Sequence, residues 1–202
     1  MIILIDNGHG ADTKGKCSPD RRLYEYRWAR EMARLVVNQL RALGVDARYL
    51  VPEEADVPIG TRVRRANSIC TQAGASNVLL VSIHNNASGA DGTWHNASGF
   101  SVFCSKNASS RSKICASFFT DEAERRHLLG NRSVPKERFW TWSWTKADIG
   151  ILKGSKCPAV LTENMFQDNK ADVDFLLSGK GMKDICDLHV GAILKYIDSQ
   201  TK

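Results

Sequence analysis

The sequence predicts an α/β domain spanning residues 1–202, on three observations. Short, nearly all-apolar runs such as Ile2–Ile5, Val78–Ile83 and Pro158–Leu161 have the length of strands buried on both faces. Longer stretches carry apolar residues at three- and four-residue spacing, as helices covering a sheet require. The two kinds alternate along the chain, the signature of strands joined by helical crossovers. With 202 residues the chain can bury a core without disulfides or a structural metal.

The first strand, 2–6, ends at Asn7-Gly8-His9-Gly10, where two glycines allow a sharp turn around an imidazole. A helix is predicted over 20–43, stopping before Gly44. Stepping from Glu25 by three or four residues reaches Ala29, Met32, Ala33, Val36, Leu40 and Leu43, so this carboxylate shares the apolar stripe. A strand over 46–51 and a helix over 59–73 follow, and Glu53, Glu54 and Asp56 between Pro52 and Pro58 read as a solvated turn. The strand 78–84 delivers His84-Asn85-Asn86 at its carboxyl end, where open α/β sheets place ligands. The segment from Ser88 to Ser98, rich in Gly, Ser, Asp and Asn, is a loop beside it.

A strand over 99–104 and a helix over 109–127 precede an irregular stretch to about 148. There Trp140, Trp142 and Trp144 alternate, so an extended backbone points all three the same way, either as an aromatic wall for sugar or peptide faces or as a strand covering the core. A short strand near 149–153, a strand over 159–163 ending in Glu163, and closing helices within 170–200 complete the order.

Composition narrows the function. An apolar fraction of 43% and a charged fraction of 25% are those of an ordinary globular protein, and no apolar run approaches membrane-spanning length. The net charge of +6 favours a polyanionic partner. No aromatic-interleaved basic stripe or nucleic-acid module is visible, so nucleic acid is not expected. Arg21, Arg22, Arg27, Arg30, Arg62, Arg64 and Arg65 are expected on solvated helix faces. The six cysteines are scattered without a CxxC pair, which predicts reduced thiols. Cys17, nearest the site in sequence, has no neighbouring His or helix start to activate it as a nucleophile.

His9, Glu25 and His84 each sit where a buried polar side chain would be costly unless paired or bound to a cation. Two imidazoles and one carboxylate make the three-ligand set of a catalytic zinc, whose fourth position stays open. Glu163, at the end of another buried strand, suits a group that takes a proton from water and returns it to a leaving amine. His95 is expected as a solvated loop residue, and His127 and His189 at helix ends or surfaces.

With Ile5-Asp6-Asn7-Gly8-His9-Gly10, Glu25, Arg62 followed by Ala66-Asn67, Ser82-Ile83-His84-Asn85-Asn86-Ala87, Gly99-Phe100 and Leu161-Thr162-Glu163-Asn164-Met165-Phe166, the chain resembles the zinc-dependent N-acetylmuramoyl-L-alanine amidases of the Amidase_3 type over nearly its whole length. The resemblance implies a twisted, mainly parallel six-stranded sheet flanked by helices, one Zn2+ on His9, Glu25 and His84, and Glu163 as catalytic carboxylate. It implies hydrolysis of the amide between N-acetylmuramic acid and L-alanine in peptidoglycan, by one catalytic domain expected to act as a monomer. Two features depart from the family: the Trp140–Trp144 stretch, and Asn164-Met165 where a glycine is commoner.

Asn86, Arg62, Trp140, Trp142 and Trp144 are the expected substrate contacts. A zinc carboxypeptidase or deacylase would use the same ligands and base, and an arginine fixing a free carboxylate, with Arg27, Arg62 and Arg138 as candidates, would favour it. A non-catalytic wall-binding domain of this fold would not need Glu163 beside a complete ligand set. No secretion leader precedes the first strand, so an endolysin-like enzyme waiting in the cytoplasm until lysis is expected, or a periplasmic or extracellular one whose leader was removed.

Overall fold

In the computed structural model of the chain, which describes residues 1–141 and 148–201, alternating apolar strands form the middle layer between helices. The strands are β1 (Ile2–Asn7), β2 (Asp46–Tyr49), β3 (Val78–Asn86), β4 (Ser101–Cys104), β5 (Trp140–Thr141) and β6 (Ala159–Phe166). They form one sheet in the order β2-β1-β3-β6-β4-β5, parallel throughout except for the antiparallel pairing of β4 with β6. The helices are α1 (Glu25–Ala42), α2 (Ile59–Ala73), α3 (Ser110–Arg125), α4 (Gly150–Gly154), α5 (Lys170–Leu176) and α6 (Gly179–Ser199), with a 3-10 turn at Ala75–Asn77.

Side-chain alternation divides the core. Ile3, Ile5, Leu79, Val81, Ile83 and Val160 pack with α1, α3 and α6 on one face. Leu4, Val78, Leu80, Ala159 and Leu161 meet α2 and α4 on the other. A strand covered on both faces has no position left for a polar residue, which is why these runs are almost unbroken. β1 pairs with β2 on one side and β3 on the other, so the chain reverses its direction across the sheet between β1 and β3. A crevice opens beyond the strand ends at such a reversal.

Several expectations need correction. The helix predicted over 20–43 begins at Glu25, because Ser18 and Asp20 bind the preceding backbone. Ser18 Oγ accepts Leu23 N–H, and the Asp20 carboxylate accepts Ser18 O–H and Arg22 Nε–H, a local network that competes with helix. Leu43 lies at the helix end and is exposed rather than on the buried stripe. The segment expected as a strand near 149–153 is α4, and the edge strand is Trp140–Thr141 instead. Its helical form is a tertiary effect. Gly154 fits closely against Val63 of α2, and Asn67 donates to Gly154 O and accepts Lys156 N–H. His189 is fully buried in α6, not at a surface. Its Nδ1 donates to Ile185 O at 2.8 Å and its Nε2 lies 3.0 Å from Thr162 Oγ1, so both nitrogens are satisfied as a neutral ring.

Candidate metal centre and groove

His9, Glu25 and His84 converge, with ligand atoms all within 4.8 Å of one another. His9 follows β1 and has φ 59°, a left-handed conformation that costs a non-glycine residue about 1 kcal/mol or more. Neighbouring groups hold it there. Gly8 N–H donates to Ile83 O at 2.9 Å, and a Cβ at Gly8 would lie 2.4 Å from the His84 ring, so only glycine lets β1 pass this close. The His9 carbonyl accepts from Arg30 at 3.1 Å and from Arg62 at 3.2 Å.

Arg62 is therefore not on a solvated face. It is 2% exposed, and its guanidinium also donates to Asn7 O, Val57 O, Asp6 and Asp56. Those five acceptors match the five N–H donors of an arginine, leaving none for substrate. Asp6 in turn accepts the Ser82 hydroxyl at 2.5 Å, tying the clamp to β3. Asp56, expected in a solvated turn, is the outer anchor of this network.

Glu25 opens α1, where a carboxylate is favoured by the helix dipole, and is 1% exposed. Oε1 accepts Asn85 N–H at 3.1 Å and meets His84 Nδ1 at 3.0 Å and His9 Nε2 at 3.4 Å. Oε2 is buried without a partner. Burial opposes ionisation, yet the hydrogen bonds and charge of His84 and His9 hold this carboxyl well below the usual carboxylate range. His84 shows the reverse balance: burial disfavours its charge, but Glu25 raises its pKa. The site fits zinc. Tetrahedral ligands about 2.0–2.1 Å from the ion stand about 3.4 Å apart, close to the 3.0 and 3.4 Å separations here. The donor set is also the one a catalytic zinc takes, and the two imidazoles keep about a fifth of their surface exposed, at 21% and 18%, so the site opens to solvent.

Glu163 stands opposite His84 in the β3–β6 pairing. Its Oε2 is buried without a hydrogen-bond partner. Burial pushes its pKa up to about 7, with His84, Lys16 and Arg132 pulling it down and Glu25 adding to the rise. Just beyond, β6 carries an extra residue, and Met165 takes φ 62°. That is the conformation a glycine adopts freely, so Met165 carries here the backbone strain that a glycine would avoid. The bulge lets Asn164 donate to His84 O at 2.9 Å.

Asn86 ends β3 and lines a cavity of about 430 Å³ with Ala87, Ser88, Ala97, Phe103, Arg132 and Phe166. The loop after it is pinned, since Asp168 accepts Ser88 and Gly89 N–H through its carboxylate and His95 N–H through its carbonyl. His95 pairs with Asp91, which raises its pKa. Trp140 is half-buried at the sheet edge, and Trp142 and Trp144 lie outside the described residues. Arg132 escaped sequence reasoning because a lone arginine in an irregular stretch has no periodicity or motif. The six cysteines are free thiols, five of them buried.

A family model described as N-acetylmuramoyl-L-alanine amidase matches residues 3–195 of this chain. An endolysin of Bacillus phage SPP1 is 24% identical over 208 residues, covering 100% of this chain and 68% of that protein. Among solved structures, the N-acetylmuramyl-L-alanine amidase Ami1 of Mycobacterium smegmatis superposes with a TM-score of 0.80 at 19% identity, covering 99% of this chain and 98% of that one. The catalytic domain of an N-acetylmuramoyl-L-alanine amidase, CwlV, from Bacillus (Paenibacillus) polymyxa var. colistinus gives 0.76 at 21% identity, covering 98% of each chain. At such identities these structures establish a shared fold.

Proposed function

Because the chain belongs to the Amidase_3 family of N-acetylmuramoyl-L-alanine amidases, we propose that His9, Glu25 and His84 hold one Zn2+ and that Glu163 carries the proton during catalysis. The enzyme hydrolyses peptidoglycan at the amide between N-acetylmuramic acid and the L-alanine of the stem peptide. The observation that carries the residue assignment is the register of Glu163 opposite His84, beside the converging ligand atoms.

When bound, zinc supplies Lewis acidity, polarising the amide carbonyl and lowering the pKa of water to about 7. Glu163 accepts the proton of the attacking water, with a pKa raised far enough for it to hold that proton near neutrality. It then delivers the proton to the L-alanine nitrogen as the carbon–nitrogen bond breaks, and the lactyl carbon keeps the water oxygen as a carboxylic acid, which gives up its remaining proton on ionising to carboxylate. His9 and His84 act with fixed ring orientations, because Arg62, Arg30 and Asn164 hold their backbones. Asn86 lines the groove as a substrate contact, and Trp140 backs it through Arg132, whose guanidinium stacks on its ring.

All of these residues come from one chain, so a monomer suffices. No helix among the described residues is long and apolar enough to cross a membrane. The likeness to a phage endolysin supports a lytic enzyme made in the cytoplasm and released to the wall at lysis. Mass spectrometry of digested cell wall tests the reaction. Stem peptides bearing a free L-alanine amine are expected, whereas release of single residues from stem carboxyl ends would replace the amidase reading with a carboxypeptidase.

A further inference from the structure

The cavity lined by Asn86 and Phe166 contains a cation that has no anion among the described residues. Arg132 lines it opposite Asn86 and Ser88, with its guanidinium carbon 4.4 Å from the Trp140 ring centroid and 5.5 Å from that of Phe166. Several other buried or part-buried arginines have acceptors: Arg62 has Asp6 and Asp56, Arg126 has Glu122, Arg138 has Asp121 and Glu124, and Arg30 donates to the backbone carbonyls of His9, Tyr26 and Glu53. Among the described residues the Arg132 guanidinium has neither an acidic partner nor a backbone acceptor, and its Nε is buried without one. Glu163 acts on it only as a distant charge, and burial lowers its pKa.

A desolvated guanidinium left unpaired is costly, and the cost is recovered if a ligand brings the missing acceptor. The two aromatic rings fix the side chain, so little rotamer freedom is lost when a carboxylate docks, and the planar fork suits a carboxylate bidentately. The floor of the cavity is Phe103, Phe166, Ala87 and Ala97, which accommodates the apolar part of a peptide while excluding water from the ion pair.

We propose that Arg132 is a specificity-determining residue that binds a free carboxylate of the stem peptide on the leaving-amine side of the scissile bond, in the cavity between Phe103, Phe166 and Asn86. The inference rests on the amidase reading and names which part of the substrate this cavity takes. It predicts that the enzyme distinguishes acidic stem peptides from amidated ones through a single cation.

The test compares N-acetylmuramoyl-L-alanyl-D-glutamate with its diamide as substrates of the zinc-loaded enzyme. The native protein is expected to favour the dicarboxylate in kcat/KM by about tenfold or more, as a charge-assisted bidentate pair gives. In Arg132→Met the ratio is expected to fall to near one, mainly through a higher KM for the dicarboxylate. Arg132→Lys keeps the charge and is expected to keep part of the preference. Equal turnover of both substrates by the native enzyme, or an unchanged ratio in Arg132→Met, overturns the proposal and leaves the amidase reading intact. Failure of the zinc-loaded native enzyme to cleave either substrate or intact cell wall overturns both. Should Arg132→Met not fold, as circular dichroism would report, the ratio measured for Arg132→Lys decides, and one equal to the native value counts against the proposal.

Discussion

His84 and Glu163 are direct partners across β3 and β6, and two steps along β3 to Asn86 match three along β6 to Phe166. The extra residue ends regular pairing immediately beyond both side chains. It turns Asn164 so that its amide holds the His84 carbonyl, and sets Met165 in a left-handed conformation. The proposed metal ligand and the proposed proton carrier are thereby held side by side at the edge of the crevice.

Glu163→Gln keeps size and polarity but removes the proton acceptor. Dye release from labelled cell walls is expected to fall by about 10²-fold or more, with zinc content by elemental analysis unchanged. Undiminished lysis would remove the base assignment.

The same substitution is expected to change how metal-free stability depends on pH. The folded pKa of Glu163 is raised from 4.5 to about 7. The folded state therefore binds more protons than the unfolded one in that interval, and the contribution of Glu163 to stability is lost as pH rises through it. Urea denaturation at pH 5 and pH 8 should show Glu163→Gln gaining on the native protein at the higher pH. A constant difference between the two would contradict this.

Chelation is expected to abolish wall hydrolysis, and zinc to restore it. Zinc at roughly a hundredfold excess over its Kd should stabilise the fold by about 2.7 kcal/mol through mass action, read as a rise in Tm. His84→Ala, lacking one ligand, should lose most of that rise; a full rise would place the ion elsewhere.

Arg62→Met leaves Asp6 as an uncompensated buried charge and removes one of the two donors that hold the His9 carbonyl. Loss of about 3–5 kcal/mol is expected from breaking such a pair. Denaturant titration of the metal-free protein measures it, and a change below 1 kcal/mol would mean that the clamp contributes little.

His189 is expected to make the fold acid-labile. Burial lowers its pKa from 6.5 to about 4. The unfolded chain therefore takes up a proton first as pH falls, and stability present above 6.5 declines toward 4. The full loss is about 3 kcal/mol at 1.36 kcal/mol per pH unit. Denaturation midpoints across that range should slope more steeply in the native protein than in His189→Gln; parallel slopes would assign the lability to other groups.

Much of the site was legible in the sequence because its parts obey local rules. A glycine-flanked histidine after a buried strand, a carboxylate on an apolar helical stripe, and polar residues at strand ends each break an otherwise apolar pattern. The places where reading failed share a cause. The helix α4 exists because Gly154 and Asn67 lock together across α2, and Arg62 is buried because acceptors from two distant stretches, Asp6 to His9 and Asp56–Val57, surround it. Neither partnership leaves a periodic trace, so a basic residue on a helix looked solvated.

The sequence by itself determined the layer arrangement and singled out the four side chains proposed for the metal centre, since burial periodicity and residue chemistry are properties of neighbouring positions. Only the tertiary structure decided which charges find partners. That is why the buried Arg62 clamp, the neutral His189 and the unpaired Arg132 became visible once distant segments were brought together. Coulombic and hydrogen-bond energies depend on distances across the fold, and these are not encoded in spacing along the chain.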